Sequence, residues 1–281
     1  MEYLGKNVGK KAVRAFFLCL FLFAAQAKAQ VSIAPTSLFF TEQSRFSSLT
    51  VSNGGDTPQE ISISMKFGYP TTQNGNLVIA SDSVLAQKKS MASWIKVFPR
   101  SFTLQPHQRQ VVRFVARAPQ GLKDGGYWSR VKITSSAVSA PIGTVGANQV
   151  GAQINLIVNQ VISAHYRTGK AATDVEVTSI DFTQKDNTGS VAVSMKQTGN
   201  TPFIGSIGFV ITNENGDKVY QTNTTNSVYT TITRNFNIDL SKIESGKYTI
   251  SGMIISQRND ISQDKLLQIK PVSFQKEITI K

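Results

Sequence analysis

The chain has 281 residues, 40% hydrophobic and 17% charged, with 30 Lys and Arg against 17 Asp and Glu and a formal charge of +13. That balance can bury a core, which excludes a globally disordered chain. One N-terminal apolar run is too little for a polytopic membrane protein. A single Cys and two His leave almost nothing for a disulfide framework or a His/Cys metal centre.

In chain order, Lys6, Lys10, Lys11 and Arg14 precede an apolar run of eleven residues, Ala15 to Ala25, followed by the small-x-small sites Ala25-Gln26-Ala27 and Ala27-Lys28-Ala29. A basic start, a short apolar stretch and small residues before a cut predict a secretory signal peptide over residues 1–29. The run is short for a span, so membrane association by a span is not expected. Cleavage would remove Cys19, the sole thiol, and leave the exported chain to rest on its cores without disulfides. It would also remove Lys6, Lys10, Lys11, Arg14, Lys28 and Glu2, lowering the formal charge from +13 to +9. No Leu stands three residues before Cys19, which argues against lipid attachment there. The periplasm is the expected compartment.

Beyond residue 30 the pattern is period-2 alternation with no sustained helical period. Ser48–Ser52 leads into the turn Asn53-Gly-Gly-Asp-Thr-Pro58, after which Ile61, Ile63, Met65 and Phe67 alternate with polar residues. Gln110–Ala116 and Trp128–Thr134 predict two more strands, and the Ser-, Ala- and Gly-rich stretch Thr134–Gly151 predicts a loop. Strand pattern returns over Gln153–Tyr166. A polar segment, Arg167–Asp174, reads as a joint. Strands resume at Val191–Met195, Ile207–Ile211, Lys218–Tyr220 after an Asn215-Gly216 hairpin turn, Ser245–Ile250 and Phe274–Ile280. No helix stands out. Short strands punctuated by Gly, Pro and Asn predict an all-β chain of two immunoglobulin-like β-sandwich domains, residues 30–167 and 168–281.

Catalysis requires positioned acids, bases or nucleophiles. His107 lies in the turn-like Gln105-Pro-His-Gln-Arg109 and His165 ends a predicted strand, neither with a triad-like arrangement nearby, so both read as ordinary surface or strand-end histidines and no enzyme is expected. No Gly-rich loop opens a helix, so a phosphate cradle is missing. The cations are dispersed, Lys88-Lys89 being the only adjacent pair after residue 30. They read as a basic surface suited to solubility or acidic envelope partners, and no nucleic-acid partner is expected.

The run Val31-Ser-Ile-Ala-Pro-Thr-Ser-Leu-Phe-Phe40, then Leu49–Asn53 with Pro58, then Ile95-Lys-Val-Phe-Pro-Arg-Ser-Phe-Thr-Leu-Gln-Pro-His-Gln-Arg-Gln-Val-Val-Arg113 and the pair Tyr127-Trp128 resemble the first domain of PapD-like periplasmic pilus-assembly chaperones. The resemblance covers residues 31–167. The later residues are similar to an immunoglobulin-like sandwich in general. The resemblance implies a chaperone that inserts alternating apolar residues of the first domain's last strand into an incomplete pilus or fimbrial subunit, donor-strand addition, with no cofactor and with an outer-membrane usher as a further partner. On that reading Ile154, Leu156 and Val158 bind the client, while Asn155, Ile157 and Asn159 face the other way. Alternation equally serves plain core packing, and both readings stand. The family anchors the client's C-terminal carboxylate with an Arg and a Lys; the matching positions here are Ser37 and Ser163, which donate hydrogen bonds but carry no charge. Arg45, Arg130 and Arg167 are the cations that could stand in. The substitution keeps open a second reading, a scaffold component of an envelope or surface complex.

Overall fold

A computed structural model describes residues 31–138 and 156–281. The alternation read from sequence becomes inside and outside. In the strand Gln59–Lys66, Ile61 and Ile63 point into a core while Glu60, Ser62 and Ser64 face out, as a pleat with one buried face requires.

The first half of the chain contributes β1 (Val31–Ala34), β2 (Ser37–Thr41), β3 (Phe46–Asn53), β4 (Gln59–Lys66), β5 (Tyr69–Gln73), β6 (Asn76–Ala80), a helix α1 (Ser83–Lys89), β7 (Ile95–Phe98), β8 (Ser101–Leu104), β9 (Arg109–Ala116), β10 (Gly125–Ala137) and β11 (Ile157–Thr168). They form a four-stranded sheet in the order β1-β3-β9-β7 and a five-stranded sheet in the order β2-β11-β10-β4-β8. A core of Leu38, Phe40, Leu49, Val51, Ile61, Phe114, Val131, Ile133 and their neighbours lies between the two sheets. The second half contributes β12 (Val175–Lys185), β13 (Thr188–Gln197), β14 (Phe203–Asn213), β15 (Lys218–Val228), β16 (Thr231–Asp239), β17 (Gly246–Ile255) and β18 (Val272–Ile280). These make sheets β12-β13-β16 and β15-β14-β17-β18 around a second core that includes Val191, Val193, Phe203, Ile207, Ile211 and Ile250. The chain is all-β with two immunoglobulin-like sandwiches, as the sequence predicts.

Three expectations need correction. A helix does form at Ser83–Lys89: the Asp82 carboxylate accepts from the Leu85 amide at 2.6 Å and Lys88-Lys89 close the last turn, a capped pattern too short for a helical period to register. Thr134–Ala137, expected in a loop, continue β10: all four pair with β4, and Thr134, Ser135 and Ser136 pair also with β11. His165 lies inside β11 and is buried, not at a strand end. The proposed signal peptide and residues 139–151 of the proposed loop lie outside the described residues.

The two sandwiches meet through the outer face of the β2-β11-β10-β4-β8 sheet and through the β5–β6 hairpin. The hairpin turns at Asn74 and Gly75, both with positive φ, the geometry that Asn-Gly supplies. It reaches the β16 strand, where Thr72 Oγ1 donates to the Thr233 carbonyl at 2.6 Å and accepts from the Thr233 amide at 3.0 Å, and Asn235 Nδ2 donates to the Gly75 carbonyl at 2.6 Å. Lys89 at the end of α1 donates to the carbonyls of Gly126 and Asn200 at 3.3 and 3.4 Å, and burial pulls its pKa down. Between the domains the chain passes Gly169, whose φ is +56° and whose missing Cβ would lie 1.8 Å from an Asp124 carboxylate oxygen. Only glycine takes that conformation and that approach without strain.

Candidate functional site

β11 is paired on one side along its whole length, from Ile157 opposite Ser136 to Thr168 opposite Gly125. On the other side β2 covers only Ser163–Arg167. The reason is the chain's path: β1 pairs with β3 in the facing sheet, and the chain crosses to the β11 sheet only at β2. Among the described residues, Ile157–Ile162 therefore have no strand against this edge, and an open edge is a template for another chain.

The side chains along that edge are apolar. Ile162, Ala164 and Tyr166 point into the first core. Leu156 and Val158 share their parity, so they lie on the core-facing side but overhang the core, 70% and 41% exposed; Ile157 and Val161 on the opposite face are 60% and 49% exposed. Gln160 separates the overhang from the core, and its Nε2 donates to the Val31 carbonyl at 3.2 Å. Ile154 lies outside the described residues. Of the three proposed client-binding residues, the structure thus places Leu156 and Val158 together at the edge and out of the core.

Ser37 and Ser163 come together where the cover of β2 begins. They are register partners on β2 and β11, and their hydroxyl oxygens are 2.7 Å apart. Ser163 is also opposite Arg130 on β10, which is opposite Lys66 on β4, so one row across this sheet face reads Ser37, Ser163, Arg130, Lys66. The guanidinium of Arg130 sits 5.1 Å above the Tyr229 ring and donates through Nε to the Gly68 carbonyl at 3.1 Å. Of the other candidate cations, Arg167 lies 5.1 Å over the Phe39 ring, and Arg45 is exposed, donating to the Glu42 carbonyl at 3.0 Å.

The next row down is closed by the second domain. His165 stacks on Phe39 with centroids 5.2 Å apart, and Tyr229 lies against both His165 and Trp128. The Tyr229 hydroxyl and His165 Nε2 are 3.4 Å apart. Burial holds the His165 pKa well below the usual imidazole range, with Arg130, Arg167 and Arg258 adding to the effect. Burial likewise raises that of Tyr229. Arg258 forks onto Asp260 at 2.8 and 2.6 Å, and Asp260 accepts from Thr36 at 2.8 Å across the joint. Hydrogen bonding to Arg258 is the main reason the Asp260 pKa is lowered. The floor beneath the serine pair is thus a buried neutral imidazole among three guanidiniums and one carboxylate.

Sequence reasoning offered Arg130 only as one of three possible cations; the signal that singles it out is parity with Trp128 on one strand, combined with a register no sequence prints. Tyr229, Arg258 and Asp260 carry no sequence signal for this site, because they come from the second domain. His107 lies in a left-handed turn, φ 59°, and contacts Asp56 at 3.1 Å, both side chains exposed. Among the described residues no group of three His, Cys, Asp or Glu could hold a metal ion, and no helix is long and apolar enough to cross a membrane.

No protein-family model and no curated protein matches the chain. Among solved structures it is similar to pilus chaperones. The Salmonella enterica SafB chaperone, solved with SafA pilin, is 16% identical with a TM-score of 0.43 over 89% of this chain and 98% of that one. The CsuC chaperone of Acinetobacter baumannii, solved with the CsuE tip subunit, is 12% identical with a TM-score of 0.42 over 88% and 98%. The Pseudomonas aeruginosa CupB2 chaperone is 11% identical with a TM-score of 0.41 over 89% and 100%. The likeness spans most of the chain, where the resemblance read from sequence stopped at residue 167.

Proposed function

We propose that this chain is a periplasmic assembly chaperone that binds a secreted, pilin-like β-subunit by donor-strand addition along the free edge of β11. The observation that carries the reading is the half-covered strand: an uncovered edge at Ile157–Ile162 flanked by exposed Leu156, Val158, Ile157 and Val161. Main-chain hydrogen bonds to such an edge supply affinity, and pockets for alternate side chains supply specificity. Leu156 and Val158 enter the client; Ile154, two residues earlier on the same parity, extends the set. The Ser37 and Ser163 hydroxyls, with Arg130 beside them, receive the client's terminal carboxylate. Arg130 supplies the charge that the serines lack. The client is then handed to an outer-membrane usher, and no cofactor takes part.

The test is affinity capture of the tagged chain from the envelope fraction, with mass spectrometry of what co-purifies. Leu156→Asp and Val158→Asp change exposed side chains and leave the fold intact. Loss of a stoichiometric small β-type subunit in both variants supports the reading. A large envelope complex retained by both variants contradicts it and supports the scaffold role, which the uncharged Ser37 and Ser163 pair favours.

A further inference from the structure

The outer face of the β1-β3-β9-β7 sheet lies on the opposite side of the first sandwich from the β2-β11-β10-β4-β8 face that meets the second domain. Register fixes what shares this face. Its four rows read Ser32, Ser52, Arg109; Ala34, Thr50, Val111; Ser48, Arg113, Phe98; and Phe46, Val115, Lys96. None of the four strands contains an Asp or Glu. Lys96, Arg109 and Arg113 are exposed and make no ion pair among the described residues. Phe46 and Phe98 are 73% and 76% exposed, the most exposed large hydrophobic side chains of the described residues, and Val111 is 49% exposed.

We infer that this face docks on an anionic lipid surface. Its charge complements acidic headgroups, since cations without internal partners lose no ion pair on binding. Its apolar groups suit a bilayer interface better than a protein groove. The two phenylalanines sit on β3 and β7 with β9 between them, each in a row with a cation rather than packed together. A protein interface is built round a contiguous, desolvated core. Separated aromatic side chains that project among cations instead match insertion at the headgroup boundary, with the long basic side chains reaching the phosphates. With this face on the bilayer, the free edge of β11, which belongs to the opposite sheet, stays open to a client. The inference rests on the face alone and does not depend on the chaperone reading.

The test is vesicle co-sedimentation of the chain recovered from the soluble envelope extract of cells expressing it with its own N-terminus. Vesicles of equimolar phosphatidylglycerol and phosphatidylcholine are compared with phosphatidylcholine alone. Binding is expected on the anionic vesicles only and should fall with added salt. Each of Lys96→Gln, Arg109→Gln and Arg113→Gln should weaken it by about fivefold. Phe46→Ser with Phe98→Ser should weaken it further, while thermal unfolding stays at its wild-type value. Equal sedimentation with both vesicles, insensitivity to the three charge changes, or no binding at all would overturn the assignment; the last would leave the face to an acidic protein.

Discussion

The two domains treat their sheet edges in opposite ways. In the second domain β15 is an edge strand of eleven residues, Lys218–Val228, and its exposed positions are Lys218, Gln221, Asn223 and Thr225. In the first domain the open stretch of β11 exposes Ile157, Val158 and Val161, with Leu156 just before it. Both edges offer unpaired backbone groups, but only one pairs them with apolar side chains that a partner strand could bury. A polar edge deters strand addition, and an apolar edge invites it. The contrast singles out one half-strand as the edge suited to strand addition.

The sharpest way to break that contrast is to move a charge along β11. Ile162→Asp puts a carboxylate into the first core, where Ile162 is only 5% exposed, and should cost about 4 kcal/mol or more, read as a collapsed denaturant midpoint. Val158→Asp, four residues earlier on the same parity, should leave that midpoint unchanged. Equal effects would mean that the overhang is core.

Next in size is the joint that sets one domain against the other. Gly169→Ala must hold a left-handed φ and displace Asp124, at a cost of about 1–2 kcal/mol. Adding Asp124→Ala should recover the part due to contact and leave the part due to φ, as measured by urea unfolding.

The buried imidazole adds a pH dependence of similar size. His165 titrates in the unfolded chain near the usual histidine value and well below it in the folded one. Below the ordinary value, then, the unfolded state binds the extra proton. The stability is fully present above about pH 6.5 and falls as pH drops toward the folded pKa, by about 1.4 kcal/mol per pH unit. The lowered carboxyl of Asp260 is lost in the same direction but in the acid range below the ordinary carboxylate value. Comparing unfolding at neutral and mildly acidic pH, His165→Gln should flatten the slope between them.

The smallest effect belongs to the serine pair. Ser163→Ala removes the 2.7 Å hydroxyl contact with Ser37 and should cost about 1 kcal/mol of stability. Arg130→Gln should weaken client capture more than Ser163→Ala does, because it removes the charge.

Much of the fold is legible in the sequence. Alternation gave most strands, and matching positions put Ser37 and Ser163 on one site, where the structure finds them hydrogen bonded. What sequence could not supply was register and cover. Leu156 and Ile162 have the same apolar character and parity, yet Leu156 overhangs while Ile162 is packed into the first core. The Asn74-Gly75 turn carries the same Asn-Gly signal as Asn215-Gly216 and makes part of the joint. Helix α1 hid because seven residues cannot show a period, although Asp82 and Lys88-Lys89 are ordinary start and stop signals.

Donor-strand addition at β11 is tested most directly by amide hydrogen exchange on the chain alone and on the chain carrying its captured subunit. The free-side amides of Ile157–Ile162 should exchange readily in the chain alone and become strongly protected in the complex, with Ser163–Arg167, already covered by β2, unchanged. A complex that leaves Ile157–Ile162 as exposed as before, with new protection elsewhere, would contradict strand addition at this edge.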